Sequence, residues 1–400
     1  MLLQTNSEKL DMEMFSDKRT FQLIKLIRKL ESGMDRLKSI SKWSLILLLP
    51  IGILLTNIAQ SSPAFIEKYY SNGIYHYISQ FLSNITGIIP ISIAELLIIF
   101  LIALFIYKLV RIIITLIKTK NKKRYILIDF LRKILIFISV GYFIFVLIWG
   151  LNYYRLPFSE IANLNVQDAT IQELTGLCES LITEANDLRN QVQEDDNSVM
   201  YVPKGYNDIF NRAHKGYDNI ADKYKELGGN YGAPKGVVFS QVMSYSGITG
   251  IYFPFTAEAN VNKDRTHVLL PATACHEIAH QRGFAREDEA NYIAYLTCIA
   301  HPDLDFQYSG TILALIHSMN KLYQHDTNAY YTLKATFSQG VLRDLQDNNK
   351  FWQKYSGPID KASTKINNTY LKLNKQQDGV QSYGRMVDLL IAEYRLNYNK

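Results

Sequence analysis

Residues 275–291 read Cys-His-Glu-Ile-Ala-His-Gln-Arg-Gly-Phe-Ala-Arg-Glu-Asp-Glu-Ala-Asn, and this stretch decides how the C-terminal half of the chain is read. Residues four apart share one face of a helix, so His276 and His280 can reach a single metal ion. Glu277 stands one position round, where its carboxylate can meet a water beside that metal. Pro271 suits the first turn of such a helix, Gly283 suits its C-terminal stop, and Glu287 opens a second helical run. The plain alternative is an amphipathic helix with hydrogen-bonded histidines. It would gather two histidines and two or three carboxylates without a lysine partner, and a metal explains that gathering better than a core does.

The third ligand is Glu287 or Glu289. Glu287 shares a helical face with Asn291, four positions on, and from there Asn291 can hydrogen-bond a ligand histidine. Glu289 points the other way, since two helical steps rotate by about 200°. The geometry therefore favours Glu287, and Glu289 reads equally as a charge favoured at a helix N-terminus. Three protein ligands leave one zinc position open. Zinc there would acidify a water and polarise a carbonyl. Glu277 is placed to take the water's proton and pass it to a leaving amine. Donors to the developing oxyanion are sought at His267, Tyr252 and Tyr383, although each also reads as an ordinary structural side chain. The other five histidines carry no motif and no expected role.

The first 150 residues have a different character. Three apolar stretches, about Ile40–Ala59, Ile88–Val110 and Ile134–Trp149, each approach the ~20 residues that cross a bilayer. Residues 1–42 carry nine Lys/Arg and 118–133 carry seven, whereas 60–87 carry only Lys68. The positive-inside rule then puts the N-terminus and the 118–133 loop in the cytoplasm and residues 151–400 outside it. Residues 1–150 hold 19 basic and 9 acidic residues, while 151–400 hold 24 basic and 28 acidic. The basic excess is thus juxtamembrane and suits anionic lipid, and the large domain has no nucleic-acid footprint. Phe21–Leu37 alternates apolar and basic residues at helical spacing and suits a cytoplasmic amphipathic segment. The three cysteines, Cys178, Cys275 and Cys298, are too few and odd in number for a disulfide framework.

Beyond a linker at 151–165, Asp168 or Thr170 can cap a helix running to about Val192, and a second helical pattern spans roughly Tyr206–Leu227. Val237–Val242, Ile251–Phe255, Ala257–Val261 and Thr266–Leu269 read as short strands just before the motif helix. About four helices follow from Phe306 onward. The expected organisation is a cytoplasmic segment over 1–39, three transmembrane helices over 40–150, and a mainly helical α+β extracytoplasmic domain over 151–400.

Glu-Asp-Glu-Ala-Asn (287–291) resembles the Glu-x-x-x-Asp segment of gluzincin peptidases, with Asn291 where they carry Asp. More closely, the chain resembles a bacterial membrane family known as domain of unknown function 3810. The resembling stretches are Trp149–Arg155, Gly250–Asn262 and Cys275–Asn291. The resemblance implies a membrane-anchored zinc metallopeptidase with a zincin-like domain, and supplies no substrate. In zincin-type peptidases an edge strand beside the metal helix holds the substrate as an added strand, and Thr256–Asn262, centred on Glu258, Ala259 and Asn260, is the candidate. The expected cofactor is Zn2+, and the expected partners are a peptide or protein substrate and the lipid bilayer. A non-catalytic membrane protein with a structural zinc, a sensor or envelope scaffold, is the competing expectation; a general base at Glu277 speaks against it.

Overall fold

The computed structural model describes residues 43–119, 121–374 and 376–398, together with Lys25. The segment expected to be amphipathic within 1–39 lies, Lys25 apart, outside the described residues. The protein is mostly helical, with one small sheet. In chain order the elements are α1 (Leu48–Gln60), α2 (Pro63–Gly87), α3 (Ile93–Lys118), α4 (Lys123–Ile148), α5 (Ile171–Arg189), α6 (Gly205–Arg212) and α7 (His214–Ile220). Then come β1 (Lys235–Gly236), α8 (Ser240–Tyr245), β2 (Gly250–Phe253), β3 (Glu258–Val261), α9 (Leu270–Gln281) and α10 (Glu287–Ile299). The chain closes with α11 (Leu304–His325), α12 (Thr327–Lys334), α13 (Gln339–Tyr355), α14 (Pro358–Leu373) and α15 (Met386–Tyr398).

Helices α3 and α4 are each 26 residues long and apolar enough to cross a membrane. At 1.5 Å per residue that is about 39 Å, more than the ~30 Å hydrocarbon core. Glu95 in the first turn of α3 and Lys118 in its last agree with the helix dipole. Leu45–Gln60 and α2 pass the same test only as a pair, and they meet at a bend of 102°. The spans therefore number two, or three if the bent pair is one, where the sequence suggested three. Contacts divide the described residues into two compact units: those up to Leu55 with Ile112–Ile144, and Thr56–Arg111 with Phe145 onward. Residues 56–111 thus share their contacts with the large C-terminal unit.

The 60–87 segment, read as a loop, is a helix. Ser62-Pro63 starts it, and it runs as a π-helix over Ile66–Tyr75. Its Ile66, Tyr70 and Tyr75 are buried with Trp149, Tyr252 and Ala285 in a core cluster of the large unit. Charge counting cannot reveal that packing, because the decisive side chains are tyrosines. A buried ion pair fixes the same face: Arg155 Nη2 lies 2.6 Å from Glu67 Oε1, with the Arg155 guanidinium over the Phe284 ring.

The main core lies among α5, α9, α10, α11 and α15. Thr170 caps α5 in a reciprocal box with Glu173, as the sequence anticipates. All three cysteines are buried and unpaired. The sheet is three-stranded in the order β1-β3-β2, with β1 parallel and β2 antiparallel to β3. Two expected strands are absent. Residues 240–245 are helical and 267–269 form a single 3-10 turn. The reason for the first is tertiary: the Glu95 carboxylate accepts the backbone N–H groups of Val238 and Phe239, which ends the ladder and starts a helix.

Candidate metal centre

Helix α9 begins with Pro271 in its first turn and presents His276, Glu277 and His280. It ends at Gly283, whose φ of +88° reverses the chain into α10. A side chain there would also strike the Tyr75 ring. The reversal brings Glu287, at the start of α10, back onto the histidines. Its Oε2 lies 3.2 Å from His276 Nε2 and 3.4 Å from His280 Nε2. These three side chains are the group whose ligand atoms lie within 4.8 Å of one another. Two donors each about 2.0–2.1 Å from a tetrahedral zinc stand roughly 3.4 Å apart, so the spacing fits one such ion.

The hydrogen bonding around the cluster fits a cation too. His280 Nδ1 donates to the Phe284 carbonyl at 2.7 Å, so Nε2 is the nitrogen that would ligate a metal once it gives up its proton. The backbone N–H of Glu287 donates to Gln376 Oε1, which also accepts from Ser382 Oγ. Glu287 Oε2 itself is buried without a hydrogen-bond donor, an orphan that a metal ion would satisfy. Burial opposes charge on both partners. Nonetheless the Glu287 carboxylate, held far below the usual carboxylate range by His280 and His276, pushes His280 up to about 9.

Glu277 is 3 % exposed, and its Oε2 is likewise an orphan. Burial raises its carboxyl to about 7, against the pull of His276, His280 and the backbone N–H of Tyr252, with Glu287 adding to the rise. Strand β2 is the reason for that N–H. It runs so close to α9 that a Cβ on Gly250 would overlap the Glu277 carboxylate.

The remaining sequence candidates fall in different places. Tyr383 stacks near His276, with ring centroids 6.5 Å apart, and Asn367 Nδ2 donates to its hydroxyl. Burial and then the Glu287 charge keep that hydroxyl protonated. Tyr252 contributes its backbone; its hydroxyl pairs with Tyr75, whose own hydroxyl lies 3.1 Å from the Gln281 carbonyl. His267 is engaged elsewhere, accepting from the Val202 N–H and stacking on Tyr201. Asn291 donates to the Tyr383 carbonyl and not to a histidine, because the 379–385 turn packs against α10 at that point. Glu289 accepts from the Phe158 N–H and faces Arg286, away from the cluster.

The expected edge strand needs correction. Strand β3, carrying Glu258, Ala259 and Asn260, is the middle strand and is wholly buried. The Glu258 carboxylate accepts from Ile93 N, Ala94 N, Thr256 Oγ1 and Lys235 Nζ, so it anchors the start of α3. Asn260 Oδ1 accepts from Ser92 Oγ beside it. The strand at the sheet edge next to the site is β2.

Sequence reasoning missed the aromatic wall. Trp149 meets the His280 ring edge-on at 6.2 Å, and Tyr153 and Tyr370, hydrogen-bonded at 2.8 Å, both feel the Glu287 charge. His317 was also passed over: burial and the nearby His276 lower its pKa to about 4. Trp149 and Tyr153 lie in one of the three resembling stretches, which was the available signal.

A family model described as "Protein of unknown function (DUF3810)" matches residues 70–391. The chain belongs to this DUF3810 family. The match takes in the whole cluster, α2 from Tyr70 and both long apolar helices. No curated protein and no solved structure matches the chain.

Proposed function

We propose that this DUF3810 member is a membrane-anchored, zinc-dependent peptidase of gluzincin-like chemistry, acting outside the cytoplasm. The observation that carries the reading is the buried, unpartnered Glu277 oxygen beside the His276–His280–Glu287 cluster. A structural metal site needs no such group, and an unsatisfied buried carboxylate oxygen costs stability on the order of 1–3 kcal/mol. His276, His280 and Glu287 would hold the ion. Bound there, zinc would supply a Lewis acid for the scissile carbonyl and a more acidic water. Glu277, whose carboxyl titrates near neutrality, would accept a proton from an attacking water and deliver it to the leaving amine. Tyr383 keeps its hydroxyl proton and donates it as a hydrogen bond to the developing oxyanion. Strand β2 replaces β3 as the substrate rail: it stands at the sheet edge, where it can pair with an extended peptide, and the missing Cβ of Gly250 is what lets the Glu277 carboxylate lie against it.

Lys/Arg asymmetry supports the placement of the cluster outside the cytoplasm. Labelling of a cysteine added at the C-terminus of intact cells checks it; labelling only after permeabilisation would reverse the assignment. The chemistry is tested on the zinc-loaded full-length protein with a diverse peptide pool. Glu277→Gln should retain one zinc and lose hydrolysis by at least about 10²-fold. Equal cleavage by both proteins removes Glu277 as the base. Cleavage by neither, in soluble or membrane-bound pools, favours the structural-zinc alternative.

A further inference from the structure

Exposed apolar side chains of the large unit are not scattered. On α2, Phe65, Tyr69, Tyr77, Phe81 and Ile85 recur at multiples of four and are all exposed. On α14, Ile359, Ile366, Tyr370 and Leu373 are 59, 71, 41 and 77 % exposed. A 100° step gathers those four within about 60° of the helix circumference. Lys361, Lys365 and Lys372 fall more than about 100° from the stripe's centre. A third face is formed by Val238, Phe239, Val242 and Ile251, exposed on and around α8 and β2.

All three faces are tied to the ends of the long apolar helices; from α2, the Tyr70 hydroxyl donates to the Leu147 carbonyl in the last turn of α4 at 3.0 Å. Glu95 in the first turn of α3 binds the N–H groups of Val238 and Phe239 at 2.9 and 2.8 Å. Tyr245 of α8 packs edge-on against Tyr355, just before α14 begins. At the far end of α14, Tyr370 bonds Tyr153, which follows the end of α4. A short link at 119–122 joins α3 to α4, so in a bilayer the Ile93 and Ile148 ends emerge on one side. Soluble monomers rarely expose contiguous apolar patches beyond a few hundred Å². The Phe and Tyr residues of α2, with Lys68 over the Tyr69 ring, and an α14 stripe with its lysines turned aside, arranged around two helix ends, fit the headgroup zone of a bilayer. A protein partner would need to cover three separate elements.

We propose that α2, the 238–251 segment and the apolar stripe of α14 rest on the phospholipid surface where α3 begins and α4 ends. The cluster then opens beside lipid headgroups, since β2 lies on Glu277 and α14 supplies Asn367 to Tyr383. The inference rests on α3 and α4 crossing the bilayer and not on the cluster's chemistry.

The test uses the full-length chain in phosphatidylcholine–phosphatidylglycerol vesicles, with an environment-sensitive fluorophore at Val242→Cys or Ile366→Cys. The native cysteines are buried, so the label goes to the new one. Ile102→Cys in mid-α3 and Glu179→Cys, at an exposed position of α5, serve as lipid and water references. Lipids brominated near the headgroup should quench Val242→Cys and Ile366→Cys roughly twofold or more, and leave Glu179→Cys unchanged. If only Ile102→Cys is quenched by lipids brominated deep in the chain, the surface contact is wrong and the spans stand. If no position is quenched, both are wrong. A label shielded from water yet unquenched by any lipid means a protein covers the face, which also overturns the proposal.

Discussion

The large unit buries two carboxylate systems on neighbouring elements, and they are built in opposite ways. Glu258 in β3 accepts from two backbone N–H groups, a threonine hydroxyl and Lys235, whose ammonium also reaches the Thr86 and Ile91 carbonyls. Every oxygen is occupied, and the result is a joint holding the start of α3 to the sheet. Glu277 is as deeply placed and Glu287 is partly buried, yet each keeps an oxygen without a donor. A buried charge fully partnered is structure; one left open, beside two histidines, is the contrast on which the proposed metal site rests.

The comparison breaks first at the metal. His276→Ala, His280→Ala or Glu287→Ala should each abolish stoichiometric zinc, measured by metal analysis after dialysis, because losing one of three ligands removes most of the affinity. Retention of a full equivalent in any of them would make the cluster an ordinary ion-paired group. Next is rate: Glu277→Gln, as above, should lose about 10²–10⁴-fold in hydrolysis with zinc retained.

The joint should respond in stability instead. Glu258→Ala strands the buried Lys235 charge and should destabilise the protein by about 3–5 kcal/mol in denaturant unfolding, with folded molecules still binding zinc. An unchanged unfolding midpoint would show that the two systems are less different than their hydrogen bonds suggest. Glu289 sharpens the contrast, being buried with an orphan oxygen yet turned to Phe158. Glu289→Gln preserves the accepting oxygen and should leave zinc content intact and shift stability by only about 1 kcal/mol. Zinc loss in that variant, with retention in Glu287→Ala, would exchange their roles.

Much of the cluster was legible because its information is local. The i, i+4 histidines, the Gly283 reversal and a carboxylate at the start of the next helix are all set by helical period and backbone freedom. The capping box at Thr170 is local in the same way. Strand order is not local: β3 reads as a good edge, and only pairing with both β1 and β2 makes it the centre. Glu258 likewise reads as a substrate contact until the N-terminus of α3, more than 160 residues away in sequence, is seen to sit on it.

By itself, then, the sequence marked three apolar stretches, of which two are helices long enough to cross a membrane, together with the family and the residues from His276 to Glu287, because apolar length and helical spacing act within a few turns of chain. Tertiary structure alone decided that 60–87 is a helix packed under the cluster, that Tyr153, Tyr370 and His317 stand near it, and that β2 rather than β3 flanks Glu277. Those outcomes depend on buried tyrosines, ion pairs such as Glu67–Arg155 and strand pairing between segments far apart in the chain. Such contacts form only once the chain has collapsed and each polar group has found the partner that burial requires.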